Sequence, residues 1–102
     1  MGAGILPYSI YKGEIYILFS KEYTIKTKDA WSDFGGKKEN KESYLETAIR
    51  EGWEETVGFF GTKESVRRLV NENTKGYITF RGHRSYLVKI PYNENLPNEF
   101  RR

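Results

Sequence analysis

The sequence contains no cysteine and only one histidine in 102 residues. Without cysteine there can be no disulfide and no thiolate metal site, and one histidine is too few for the usual nitrogen ligands of zinc. Any metal must therefore be held by oxygen, which suits Mg²⁺ or Mn²⁺. No apolar run approaches the roughly 20 residues that span a membrane, and the start lacks the basic-then-apolar order of a secretory signal. Met1-Gly2 opens like an acylation site, but Leu6 stands where Ser or Thr is wanted. These absences set the expectation of a cytoplasmic protein with no membrane partner.

What is present describes a soluble globular chain: 37% hydrophobic residues, 30% charged and eight tyrosines, enough for one domain over residues 1–102 with a small core. The net charge of +3 is unevenly spread. Residues 1–61 hold eight Lys/Arg against ten Asp/Glu, a balance of −2, whereas residues 62–102 hold nine against four, a balance of +5. A basic half beside an acidic cluster suits a polyanion brought to a metal site; a solvated surface pattern gives the same count.

Gly4 to Ser9 and Glu14 to Phe19 read as two strands around the turn Tyr11-Lys12-Gly13, where glycine supplies a positive φ. The nearly continuous apolar run Ile15–Phe19 predicts a central strand buried on both faces. Lys21 to Asp29 is a polar connector, and Trp31–Phe34 alternates as a short strand ended by Gly35-Gly36. A helix is predicted over Ser43–Thr56, with Ser43 as N-cap, Glu46 completing a capping box, and Gly58 and Gly61 as the stop. A second, short helix is expected over Lys63–Val70. Tyr77–Phe80 and Ser85–Ile90 read as strands joined by a hairpin through Arg81-Gly82-His83-Arg84, and the chain from Pro91 is polar and turn-rich.

On the first helix, steps of about 100° per residue put Glu51, Glu54 and Glu55 within a roughly 100° arc. Like charges so placed repel, an arrangement that makes sense around a cation. Leu45, Ala48, Ile49, Gly52 and Trp53 fall on the other side, giving a face to bury.

The stretch resembles the signature of the Nudix hydrolases: Gly, five residues, Glu, seven residues, Arg-Glu, an apolar residue, any residue, Glu-Glu, any residue, Gly. Gly36, Glu42, Arg50, Glu51, Glu54 and Glu55 fall at the expected intervals. Three positions depart from it. Phe34-Gly35-Gly36 replaces Pro-Gly-Gly, Gly52 takes the apolar place, and Gly58 comes one residue late, read as an extra residue in the loop leaving the helix. The resemblance covers roughly Gly4 to Ile90.

It implies an α+β fold, the Nudix α/β/α sandwich with a mixed sheet, here lacking the C-terminal helix, in a short member or a fragment. It also implies metal-dependent hydrolysis of a pyrophosphate. Glu51, Glu54 and Glu55 are then the Mg²⁺ or Mn²⁺ ligands, joined by the Gly35 carbonyl. Glu51 and Glu54 are the catalytic carboxylates, with Glu51 a candidate general base, and Arg50 orients them. Gly36 and Glu42 are structural.

Lys37, Lys38 and Arg84 are candidates for substrate phosphates, and an exposed side chain is the bland alternative for each lysine. Nucleotide triphosphates, dinucleoside polyphosphates, diphosphoinositol phosphates and capped RNA are all cleaved by proteins with this signature. The partner is thus a nucleotide or another organic pyrophosphate, with RNA and self-association left open. The rival reading is a catalytically inactive Nudix-like module that binds nucleotide or RNA. Asp33-Phe34-Gly35 spells the kinase metal triplet but lacks every other kinase motif, His83 reads as a plain turn residue, Trp31 reads as core, and Ser/His/Asp catalysis has no support beyond the presence of each residue type.

Overall fold

The computed structural model describes residues 1–22, 30–94 and 100–101, with backbone alone at 21, 22, 30, 31, 100 and 101. Its elements in chain order are β1 (Gly2–Tyr11), β2 (Glu14–Ile17), β3 (Ser20–Glu22), β4 (Ala30–Ser32), β5 (Phe34–Lys37), α1 (Tyr44–Glu55), α2 (Lys63–Asn73), β6 (Thr74–Phe80), β7 (His83–Lys89) and β8 (Phe100–Arg101).

The long first strand is the axis of a mixed five-stranded sheet. Along one edge β1 pairs antiparallel with β5 through residues 2–5 and with β2 through residues 8–11; along the other it runs parallel to β7, which pairs antiparallel with β6. A smaller sheet joins β3 to β4 and, in parallel, to β8. The two hairpins share one device. Lys12-Gly13 and Arg81-Gly82 each take φ of +50° and +78°, the left-handed pair that matches strand twist in a two-residue connection.

Both helices lie on one face of the large sheet, packed on each other and on β1, β5, β6 and β7. Alternation along β1 sends Ala3, Ile5 and Pro7 to that face. There Ile5 and Ala3 join Phe34, Tyr86 and Val88 from the neighbouring strands and Ala48, Ile49, Val66 and Val70 from the helices in a single core.

Helix α1 begins as expected: Ser43 Oγ accepts from the Glu46 amide at 3.1 Å while Glu46 Oε1 accepts from the Ser43 amide at 2.9 Å. Gly52 permits the helix to approach the sheet, since a Cβ there would sit 3.0 Å from Ile5 Cδ1. At the other end Thr56 caps the helix and bonds back to the Gly52 carbonyl at 2.7 Å. The left-handed position that follows is taken by Val57, φ +52°, with Gly58 left-handed behind it; a β-branched residue there costs on the order of 1–2 kcal/mol.

Several sequence expectations need correcting. The Ile15–Phe19 run is not a central strand: β2 is an edge strand, every residue of it is exposed, and Ile15 is 66% accessible. Apolar content alone does not tell a doubly covered strand from one lying on an uncovered face. Gly35 and Gly36 lie inside β5 rather than ending a strand. His83 opens β7 and is not a turn residue. Trp53 is exposed at the edge of the apolar face of α1. Phe100–Arg101 forms β8 where only polar turns were expected. Residues 23–29 of the predicted connector and the side chain of Trp31 lie outside the described residues.

The opposite face of the large sheet carries Leu6, Ile10, Ile15, Ile17, Ile78, Phe80 and Leu87 by the same registers. Ile78 and Phe80 are 55% and 68% exposed. Among the described residues there is no C-terminal helix to cover it, as expected, and neither of the two helices is long and apolar enough to cross a membrane.

Candidate active site

Arg50 is the hub of the residues that match the signature spacing. Its Nε donates to Glu42 Oε2 at 2.7 Å and its Nη2 to Glu42 Oε1 at 2.9 Å, the fork-to-fork geometry that fixes both partners. Nη1 donates to Glu51 Oε1 at 2.8 Å and approaches Glu54 at 3.7 Å, and Nη2 also reaches the Lys37 carbonyl at 3.1 Å. One guanidinium thereby joins the loop before the helix, the helix and the end of β5.

Glu42 is satisfied from every side, because its Oε1 also accepts from Thr47 Oγ1 and from the Glu39 amide. The bonds from Arg50, chiefly, hold its carboxyl down to about 2, and Arg50 is in turn held above its ordinary value by Glu42.

Glu51 is the buried member of the acidic trio, 9% exposed in a helix whose next turn is solvated. Its carboxylate lies flat against Gly36: a Cβ at that position would be 2.5 Å from Oε2. The glycine is therefore required by contact with Glu51, and the Gly35-Gly36 peptide is placed beside this carboxylate. Glu54 keeps its side chain 46% exposed and Glu55 is half-buried.

The donor set, three carboxylates and a neighbouring peptide carbonyl, has the chemistry a hard divalent cation selects. In this arrangement, however, no three acidic or histidine side chains converge closely enough to surround an ion among the described residues.

The three candidate phosphate ligands separate. Lys37 ends β5 with an exposed side chain that makes no ion pair among the described residues. Lys38 turns back, its Nζ 3.4 Å from the Glu39 carbonyl. Arg84 is enclosed, its guanidinium 4.2 Å from the Tyr77 ring centre and 4.6 Å from that of Tyr44. Cation–π contact stabilises it there, on the helix-bearing face.

One constellation escaped the sequence reading. Asp33, just before β5, accepts from Ser85 Oγ at 2.5 Å and pairs with His83 Nε2 at 2.8 Å, and its side chain is only 7% exposed. The carboxylate sits in the middle, so this is not a nucleophile triad, in which the imidazole must lie between Ser and Asp. Alternation does place His83 and Ser85 on one face of β7; which strand faces them is set by a pairing the sequence does not announce.

No family model matches the chain. It is 40% identical over 82 residues to the uncharacterized protein L534 of Acanthamoeba polyphaga mimivirus, an alignment covering 78% of this chain and 27% of that protein. The chain thus spans about a quarter of the length of this curated relative. Among solved structures it is similar to C. elegans Ap4A hydrolase, with a TM-score of 0.56 and 19% identity over 94% of this chain and 71% of that one. A binary complex of a C. elegans Ap4A hydrolase gives a TM-score of 0.59 at 20% identity, covering 99% and 74%. The class defined by element order, mixed sheet and these likenesses is an α+β domain of Nudix-like fold.

Proposed function

We propose that this domain is a divalent-metal-dependent hydrolase that cleaves a pyrophosphate bond in a nucleoside diphosphate linked to another group, or in a related organic pyrophosphate. The observation that carries the reading is the Glu42–Arg50–Glu51 assembly, in which a buried carboxylate is fixed against a glycine peptide by a guanidinium itself locked from behind. A solvated helix face has no need of such support. Similarity in fold to Ap4A hydrolase, and to its binary complex, supports a nucleotide-type substrate.

Glu51, Glu54, Glu55 and the Gly35 carbonyl are the groups that would hold Mg²⁺ or Mn²⁺. A bound cation supplies charge neutralisation on the phosphates and an acidified water. Glu51, partly desolvated and fixed by Arg50, is the carboxylate best placed to take a proton. Arg50 keeps it aimed, and Gly36 leaves room for it. Lys37, whose exposed side chain makes no ion pair among the described residues, is available to the phosphate chain.

Two measurements test the reading. Glu51→Gln keeps the shape of the side chain and is expected to lower kcat at least about a hundredfold with a modest change in KM, the pattern of a group used mainly in the transition state. Millimolar Mg²⁺ or Mn²⁺ is expected to raise the Tm of the wild type by mass action and not that of the Glu54→Gln/Glu55→Gln variant. A wild type that binds a nucleoside pyrophosphate yet hydrolyses none, with either metal, is a binding module and not an enzyme.

A further inference from the structure

Where the large sheet runs on into the β1–β2 hairpin, its helix-bearing face is hollow. Ser9 lies on the same face of β1 as Ile5 and Pro7 and is paired across the hairpin with Tyr16. Leu18 donates its amide to the Pro7 carbonyl at 2.9 Å and Ile90 donates its amide to the Tyr8 carbonyl at 2.8 Å, which sets Leu18 and Ile90 on either side of this stretch of β1. Tyr92, Asn93 and Glu94, after β7, complete the lining of a cavity of about 260 Å³. Ser9, Leu18 and Ile90 are buried in it, whereas Asn93 and Glu94 are exposed at its mouth. No residue of either helix lines it. The cavity is remote from Glu51: Gly36, against which Glu51 lies, pairs with Ala3, and the strand from Ala3 to Ser9 spans roughly 20 Å.

The aromatic wall of this cavity is built in advance. Tyr92 stacks on Tyr11 with ring centres 4.1 Å apart and meets Tyr16 at 5.1 Å, so little side-chain freedom is left to lose on binding. The floor holds an unmet polar group, since Ser9 is 3% exposed and its hydroxyl makes no hydrogen bond among the described residues. A buried hydroxyl without a partner is costly, and a ligand carrying a ring nitrogen or an N–H relieves that cost. The charge is of one sign: no Lys, Arg or His lines the cavity, Glu94 stands at the mouth, and Glu14 accepts from the Tyr16 hydroxyl at 3.4 Å. Such a site repels a phosphate.

We infer that this cavity is a binding site for an uncharged planar nitrogen heterocycle of the size of a free nucleobase. The ring lies between the aliphatic Leu18 and Ile90 and the tyrosine wall, its inner edge meets the Ser9 hydroxyl, and an outer N–H is directed to the Glu94 carboxylate. The volume falls just below the roughly 300 Å³ at which drug-sized sites begin, which admits one ring system and not a dinucleotide. The site stands independently of the proposed hydrolase.

The probes are adenine, hypoxanthine, cytosine and uracil, each tested against the whole chain by ligand-observed NMR, which registers weak binding and needs no turnover. At least one is expected to bind, and to do so about tenfold or more tightly than its nucleoside monophosphate. Ser9→Ala is expected to weaken binding about tenfold while leaving Tm unchanged or raised, because it removes an unpaired buried hydroxyl. Tyr92→Ala, outside the core cluster, is expected to weaken it by at least about tenfold through lost stacking, whereas Lys75→Gln on the far edge strand β6 leaves it within about twofold. Binding of none of the bases, a monophosphate bound as tightly as its base, or unchanged binding in both Ser9→Ala and Tyr92→Ala overturns the site. Binding lost in Glu51→Gln and kept in Tyr92→Ala also overturns it, because the ring then sits at the hydrolase site.

Discussion

Arg50 is the residue on which the site depends, and its partner Glu42 gives that dependence a pH signature. The Glu42 carboxyl titrates near 2 in the folded protein, far below its ordinary 4.5, because protonation breaks its bonds from Arg50. Above about pH 4.5 it is ionised whether the chain is folded or not, and the full stabilisation is present. As pH falls, the unfolded chain takes up the proton first and stability declines until the folded carboxyl protonates near 2. After discounting for partial exposure, the loss is expected to be on the order of 1–2 kcal/mol between pH 5 and 2. Urea unfolding across that range should show it, and Glu42→Gln should be less stable at pH 7 with a flatter acid limb. A wild type and variant that lose stability in parallel would place the acid-sensitive group elsewhere.

At the scale of elements, Gly52 looks like a flaw in α1 when read along the helix, since glycine costs about 1 kcal/mol there relative to alanine. Its reason is Ile5, on a strand 47 positions earlier, fully buried and in the way of any Cβ. Gly52→Ala is therefore expected to destabilise by about 1 kcal/mol net despite the gain in helix propensity. Ile5→Val, which removes Cδ1, should recover part of that loss in a double-mutant cycle measured by thermal unfolding; a stabilised single variant would contradict the packing.

The same contrast explains what the sequence revealed. The capping box at Ser43–Glu46, both hairpins and both helices were legible because their signals are local. Glu42, Arg50 and Glu51 are brought into contact by one helix and its preceding loop, so that contact too is local in sequence. The exposed place of β2, the Asp33–His83–Ser85 contact and the close approach of Gly2 to Gly36 and His83 depend on which strands become neighbours, and residue types do not encode that directly.

For the whole molecule, the uneven coverage of the sheet is the dominant feature. Two helices shield one face, while Ile15, Ile78 and Phe80 stand open on the other. Exposed apolar area of this kind marks an interaction surface or an aggregation liability. The isolated chain is expected to bind a hydrophobic dye or to self-associate by light scattering, and Ile78→Thr/Phe80→Thr should reduce either signal; a monomer that binds no dye would show that the face is closed in solution.

The parallel pairing of β1 with β7 also sets the order in which the chain can be finished. Gly2 meets His83, 81 positions later, across that edge. At the usual pace of ribosomal synthesis, about 5–20 residues per second, the first strand waits roughly 4–16 s for its partner. Throughout that interval its buried edge and the apolar side chains of its core face are available to chaperones and to other nascent chains. A pairing between positions so distant in sequence is slow to form, and the β1–β7 ladder cannot close until residue 83 has emerged.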